Sequence, residues 1–241
     1  MQQRTLKIIS LNIEMDNHFE RILPFINEVQ PDVILLQEVL GKDKAFLEEM
    51  TGMTGIYTIQ NIIDIEKVES FIGLLTLTKL PILNQHHVFY RGNNLNPIRM
   101  TKNDPEKMAR VVTMVEVCKE NQMYQLLNTH FTWTPNAEVN QMQRQDLPKL
   151  FAYLERVPEF ILCGDFNAPR GKEIFDTIAT KYRDNIPSHV TTTIDKQWHR
   201  VGDLGIVVDG LFTTSGYHAS SVEVRDGLSD HCGIIATVYK V

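Results

Sequence analysis

Apolar runs and amphipathic stretches succeed one another along the chain in an order that changes twice. Leu6 to Leu11 is almost wholly apolar and predicts a buried strand. Phe19 to Gln30 carries Ile22, Phe25, Ile26 and Val29 at the spacing of one helix face, and a second buried strand is predicted at Val33 to Leu36. A helix follows at Lys44 to Met50. Next come short β-rich runs without helices: Tyr57 to Ile63, Leu74 to Leu77, His87 to Phe89, Val111 to Val117 and Met123 to Thr129. The last two are joined by the turn Lys119-Glu120-Asn121-Gln122, so this stretch is expected to pair antiparallel. The second half opens on a helix at Glu138 to Leu154, then a strand at Phe160 to Gly164 and a helix at Glu173 to Ala179. Strands at Val207 to Thr213, Ser220 to Val224 and Ile234 to Val238 close the chain.

Helices occur in both halves, and the strands are too many for one comfortable sheet. The layer count therefore predicts two mixed or mostly antiparallel sheets packed face to face with helices outside, in one domain spanning residues 1–241. Arg91 to Lys107 is polar, aperiodic and holds two prolines, which predicts a long loop. Composition agrees with a globular protein, at 43% hydrophobic and 22% charged residues. With 24 basic against 30 acidic side chains the net charge is −6, so bulk charge does not hold this chain to nucleic acid and any polyanion is gripped locally. Cys118, Cys163 and Cys232 are odd in number and lie in apolar runs, which fits core packing in a reducing compartment. No apolar run approaches the length of a membrane span and the first residues lead straight into a strand, so a cytoplasmic location without membrane insertion is expected.

The polar residues that follow the buried runs carry the chemistry. Asn12 follows Ile8-Ile9-Ser10-Leu11, Glu38 follows Ile34-Leu35-Leu36-Gln37, and His130 follows Leu126-Leu127-Asn128-Thr129. Asp165 and Asn167 follow Ile161-Leu162-Cys163-Gly164, Asp209 follows Ile206-Val207-Val208, and Asp230 and His231 stand just before Cys232-Gly233-Ile234-Ile235. If those strands are neighbours, their ends bring these groups to one rim of a rigid scaffold. Residue type alone leaves ordinary readings open: a surface glutamate at Glu38, an Asx-turn at Asp165 and Asn167, satisfied histidines at His130 and His231.

These segments resemble the endonuclease/exonuclease/phosphatase superfamily, the deoxyribonuclease I-like or exonuclease III-like fold. The likeness rests on Ser10-Leu11-Asn12, Pro31-Asp32-Val33-Ile34-Leu35-Leu36-Gln37-Glu38-Val39, Asn128-Thr129-His130, Gly164-Asp165-Phe166-Asn167, Val208-Asp209-Gly210-Leu211-Phe212 and Leu228-Ser229-Asp230-His231. They occur in the family's order across nearly the whole chain. The resemblance implies a four-layer α/β sandwich and a phosphoester hydrolase dependent on Mg²⁺ or Mn²⁺. It implies Glu38, Asp230 and Asn12 at the metal, and Asp165 as the base for the attacking water. It also implies Asn167 on the nucleophile or a phosphate oxygen, His231 on the scissile phosphate with Asp209 behind it, and His130 near the leaving group or a non-bridging oxygen.

Around this set, Arg110 and Arg170 are candidate phosphate neighbours, and Trp133, just after His130, is a candidate substrate-stacking residue. Lys79 is read as conformational, and Arg144 and Gln145 as packing residues on the helix after His130. The expected partner is a phosphoester, with nucleic acid favoured: single-stranded, abasic or end-modified DNA. The alternative is a lipid or inositol phosphoester. No obligate protein partner is inferred, and a non-enzymatic scaffold is disfavoured because none of the matched acids and histidines is missing.

Overall fold

The computed structural model describes residues 4–101 and 108–241. Two mixed sheets stack face to face with helices outside them, as the pattern predicts, and this is the four-layer sandwich that the resemblance implies. The seven-stranded sheet runs β12-β13-β1-β2-β4-β3-β6, where β1 is Leu6–Asn12, β2 Val33–Leu40, β3 Thr54–Ile65, β4 Val68–Thr78, β6 Ile98–Arg99, β12 Tyr217–Arg225 and β13 Gly233–Lys240. The six-stranded sheet runs β10-β11-β9-β8-β7-β5, with β5 Ile82–Arg91, β7 Arg110–Lys119, β8 Gln122–His130, β9 Ile161–Asp165, β10 Arg183–Asp184 and β11 Asp209–Thr213. Among the described residues, the β1·β2, β3·β6 and β8·β9 pairs are parallel and the others antiparallel.

Strands buried on both faces read as continuous apolar runs, and alternation decides which layer each side chain joins. In β1 and β2, Ile9, Leu11, Ile34 and Leu36 pack outward against Ile22, Phe25, Ile26 and Val29 of α1 (Phe19–Val29) and Leu47 of α2 (Lys44–Thr51). Leu6, Ile8, Val33 and Leu35 face inward and join the other sheet's core, which continues to α3 (Gln141–Leu154) and α4 (Glu173–Lys181). Polar residues take the inner positions nearer the strand ends. Gln37 Nε2 donates to Asn128 Oδ1 at 2.8 Å, and Asn128 Nδ2 returns a bond to the Leu36 carbonyl at 3.0 Å, so a buried amide pair locks the two sheets together below the site.

Several predicted boundaries move. The strand predicted to end at Leu36 continues to Leu40 through a bulge, and the predicted strands Tyr57 to Ile63 and Leu74 to Leu77 are parts of one long β3–β4 hairpin. The helix predicted from Glu138 starts at Gln141, because Pro135–Ala137 forms a 3₁₀ turn and the Asn140 side chain caps the helix by accepting the Gln143 N–H. Within the predicted loop Arg91 to Lys107, Ile98–Arg99 pairs with β3, and Lys102 and Lys107 lie outside the described residues. Cys163 and Cys232 are buried as expected, whereas Cys118 is partly exposed.

Candidate active site

The sheet topology places the chemistry at one end of the sandwich. In the six-stranded sheet, His130, Asp165 and Asp209 lie side by side at the ends of β8, β9 and β11, where His130 pairs with Asp165 and Asp165 with Asp209. Facing them from the seven-stranded sheet are Asn12 at the end of β1, Glu38 in β2, and Asp230 and His231 just before β13. Gly164 is needed in this crowd: its φ is +154°, and a Cβ there would lie 1.9 Å from the Thr129 carbonyl oxygen of the neighbouring strand.

Strict alternation would turn Glu38 away from the inner face that Gln37 occupies. Instead, the β2–β4 register shifts between Leu36 and Val39, and Glu38 sits at φ +58°. A bulge re-aims a side chain, and a non-glycine residue in this region carries roughly 1–3 kcal/mol of strain that the surrounding packing must offset. The strain brings Glu38 Oε1 to 3.3 Å from Asn12 Nδ2 and 4.0 Å from His130 Nε2.

Asn12 is the spacer between two carboxylates. Its Nδ2 also donates to Asp165 Oδ2 at 3.2 Å, while its Oδ1 accepts the Glu14 N–H. It therefore holds Glu38 through its amide nitrogen. Asp165 is buried, accepts the Asn167 N–H on Oδ1 at 2.8 Å, and has the Nε2 atoms of His130 and His231 at 3.5 and 3.7 Å from Oδ2. Asn167, at φ +49°, anchors its side chain by donating to the Phe131 carbonyl. Ser229 ties the halves together: its hydroxyl donates to the Asn12 carbonyl at 2.6 Å and accepts the His231 N–H at 3.0 Å.

Environment separates the protonation states of these groups. Burial raises the Asp165 carboxyl to about 6 against the nearby His231 charge, with Asp209 and Glu38 adding to the rise. Burial alone would lower His231, but Asp209, whose Oδ2 accepts from Nδ1 at 2.9 Å, and Asp165 overcome it and hold the imidazole well above its ordinary range. His130 goes the other way. Burial first, then the Arg110 guanidinium and His231, keep it well below that range. At neutral pH the site thus has one imidazolium, one neutral imidazole and an ionised Asp165 between them. NMR titration of Asp209→Asn should show the His231 pKa falling towards the ordinary histidine value, because the carboxylate that opposes desolvation is gone. An unchanged value would remove the pairing from the site.

The donor chemistry fits a hard divalent cation. Glu38 is a half-buried carboxylate raised by burial, and Asp230, raised to about 7 by burial with Glu38, Glu14 and Asp165 adding to it, has a buried Oδ1 without a hydrogen-bond partner. Carboxylates gathered with so little compensating charge are what Mg²⁺ or Mn²⁺ would neutralise. The ligand atoms of Asp165, Asp209 and His231 also converge within 4.8 Å. Internal hydrogen bonds already engage all three, so this buried trio is suited to handling protons.

The remaining candidates are sorted by their partners. Arg110 is buried; Nη1 donates to the His130 carbonyl at 3.3 Å, Nη2 to Met108 Sδ at 3.5 Å, and Nε has no partner. No carboxylate pairs with it among the described residues. Trp133, three residues after His130 in the chain, is half-buried. Arg170, expected as a phosphate neighbour, braces the loop after β10: its guanidinium pairs with Asp184 at 2.8 Å and donates to the carbonyls of Ile186, Pro187 and Val190, which leaves Nε without a partner. Lys79 is exposed at the opposite end of β4, away from the site. Arg144 and Gln145 are exposed, Arg144 pairing with Glu173; the inward residues of that helix turn are Gln143 and Asp146. Gln143 Nε2 donates to the carbonyls of Thr132 and Asn167, and Asp146 accepts from Thr132 Oγ1 and Arg91 Nε. The sequence signal for this pair was the buried phase of α3, with Met142 and Leu147 on the same face.

Among solved structures, the chain is similar to an endonuclease/exonuclease/phosphatase from Bacteroides vulgatus, at 19% identity and a TM-score of 0.76 over 99% of this chain and 100% of that one. It is similar to the human Nocturnin catalytic domain with bound sulfate anion, at 16% identity and a TM-score of 0.72 over 100% and 97%. It is also similar to a mannosyl-6-phosphatase of Bacteroides thetaiotaomicron, at 13% identity and a TM-score of 0.73 over 97% and 99%. At such identities the likeness is one of fold. No curated protein matches the chain by sequence. The sequence pattern of the Endonuclease/Exonuclease/phosphatase family matches residues 9–231, the span that holds every candidate site residue from Asn12 to His231. The chain therefore belongs to the endonuclease/exonuclease/phosphatase family.

Proposed function

We propose that this protein is a divalent-metal-dependent phosphoester hydrolase that attacks phosphorus in line with an activated water. The observation that carries the reading is the close meeting of Asp165 with two oppositely tuned histidines, the Asp209-paired His231 and the neutral His130. Asp165, ionised above about pH 6, accepts the proton of the attacking water. Asn167, fixed through its N–H to the other Asp165 oxygen, would orient the nucleophile or a phosphate oxygen. His231, an imidazolium, stabilises charge gathering on the phosphoryl oxygens, and His130 offers a neutral imidazole on the other side of Asp165. Glu38 and Asp230 would hold the cation, with Asn12 orienting Glu38; the ion supplies positive charge to the phosphate.

Recognition of substrate is local in this reading. Among the described residues, three arginines that could meet a nucleic-acid backbone are engaged by carboxylates: Arg91 with Asp146, Arg99 with Asp64 and Glu69, and Arg170 with Asp184. A duplex binder draws most of its affinity from cations free to neutralise phosphates. Single-stranded, abasic or end-modified DNA is the first reading, with Trp133 stacking on an unpaired base. The engagement of those same cations favours a second reading, a small phosphate ester such as a sugar or inositol phosphate. A substrate panel with Mg²⁺ and Mn²⁺, spanning single-stranded, abasic and duplex DNA, RNA, sphingomyelin, phosphoinositides and sugar phosphates, separates them. Single-stranded or abasic DNA should be cleaved at least about tenfold faster than duplex, and Trp133→Ala should reduce that preference more than it reduces hydrolysis of bis-p-nitrophenyl phosphate. Turnover of sugar or lipid phosphates with none of DNA would transfer the function to the second reading.

A further inference from the structure

Asp209 and His231 belong to different sheets. Asp209 opens β11, which pairs with β9 and β10, and His231 precedes β13, which pairs with β1 and β12. Their 2.9 Å hydrogen bond therefore spans a gap that no strand ladder sets. The segment 192–195 bridges it. Towards Asp209, Thr193 Oγ1 accepts the N–H of both Val208 and Asp209, at 3.0 and 3.1 Å, and the Thr193 N–H donates to the Ile206 carbonyl at 2.9 Å. Towards His231, the Thr193 carbonyl accepts the Cys232 N–H at 2.8 Å, the Asp195 N–H donates to the Asp230 carbonyl at 3.0 Å, and Ile194 bridges antiparallel to His231. Thr193 is fully buried, and its N–H, carbonyl and hydroxyl are all engaged between the two carriers of the pair.

We propose that Thr193 is a positioning residue for the Asp209–His231 pair. A hydroxyl has two acceptor lone pairs, and here two successive backbone N–H groups use them, one belonging to Asp209 itself. The main-chain bonds of the strap do not depend on side-chain identity, so the hydroxyl is the part a substitution removes. Without it, two buried N–H groups lose their acceptor, and the start of β11 relaxes to find others. The Asp209 carboxylate then no longer meets Nδ1 at a fixed distance. Serine keeps the acceptor; valine keeps the shape and discards it.

The kinetic consequence rests on the phosphoesterase reading, while the geometric one does not, and the test uses both. On bis-p-nitrophenyl phosphate with Mg²⁺, Thr193→Val should lower kcat by about 10- to 100-fold with KM within about threefold, and Thr193→Ser should recover to within about threefold of wild type. In an Asp209→Asn background, Thr193→Val should cost little more, because the residue acts through Asp209. A serine variant as impaired as the valine variant, or losses that multiply in the double variant, would overturn the proposal. A wild type that turns over no ester counts against the phosphoesterase reading alone. The strap is then decided by the low-field Nδ1 proton of His231, assigned by its loss in Asp209→Asn. That signal should persist in Thr193→Ser and vanish or move upfield in Thr193→Val, and its unchanged presence in Thr193→Val would overturn the proposal. Should Thr193→Val fail to fold, Thr193→Ala carries the same comparison, and a Thr193→Ser variant lacking the signal would overturn it by itself.

Discussion

Asp165→Asn is expected to lower kcat by a factor on the order of 10² or more while leaving KM within a few-fold of wild type. The amide keeps the shape of the carboxyl, and its one oxygen can still accept the Asn167 N–H; the bond from Asn12 to the other oxygen is lost, so circular dichroism and thermal melting of the variant should accompany the kinetics to show that the fold is kept. What is lost is the group that takes a proton as water attacks, which acts on the transition state far more than on the bound ester. The pH dependence gives a second signature. Burial raises Asp165 to about 6, so wild-type turnover should be lost as pH falls through that value, where the base becomes protonated. His231, held well above its ordinary range, supplies its charge up to higher pH and should shape the alkaline side. With Mg²⁺ kept saturating at every pH, so that protonation of Asp230 does not limit the rate, the acid limb near pH 6 should disappear from the residual activity of Asp165→Asn. A variant that raised KM alone, or kept the same acid limb, would take the base role away from Asp165.

The second large effect is expected from removing the cation. EDTA should abolish turnover, Mg²⁺ or Mn²⁺ should restore it, and Glu38→Gln should weaken metal binding without unfolding the chain. Glu38 is the residue whose backbone is strained into reach of Asn12 and His130, and an amide at that position keeps the contact with Asn12 but not the charge. Binding should also depend on pH with a definite sign. Asp230 is raised to about 7 and binds a cation only when ionised, so affinity should fall as pH drops from 8 towards 6, by up to about tenfold per pH unit below 7 for one displaced proton. Isothermal titration with Mn²⁺ at several pH values checks both statements. Full affinity in Glu38→Gln would remove that carboxylate from the metal, and affinity independent of pH would do the same for Asp230.

Much of this protein is written in short-range pattern. A strand buried on both faces must be apolar throughout, and a helix packed on a sheet must show its period, so β1, β2, β7, β8, β9 and β13 and the helices α1, α2 and α4 are legible from neighbouring residues alone. The site residues are legible for a related reason. Groups held at the ends of rigid strands stand next to buried runs, so the candidate residues Asn12, His130, Asp165, Asp209, Asp230 and His231 appear as polar letters beside apolar runs, all within the span the family pattern matches. Glu38 is found the same way, but its reach is not: alternation points it away from the site, and only the bulge against β4 turns it inward. Arg170 looks like a phosphate ligand by its place after Gly164-Asp165-Phe166-Asn167, and becomes a loop brace only because the chain after β10 passes within reach of its guanidinium. Thr193 sits in the run Thr191-Thr192-Thr193, where nothing in composition marks one hydroxyl from its neighbours, yet it alone accepts the amides of Val208 and Asp209. Local periodicity is enforced by burial of each element's own face, and is therefore visible along the chain. The distances between the two sheets, the direction of Glu38, the opposite tuning of His130 and His231, and the strap that joins Asp209 to His231 are set by contacts between segments far apart in sequence, and they come into existence only when the sandwich closes.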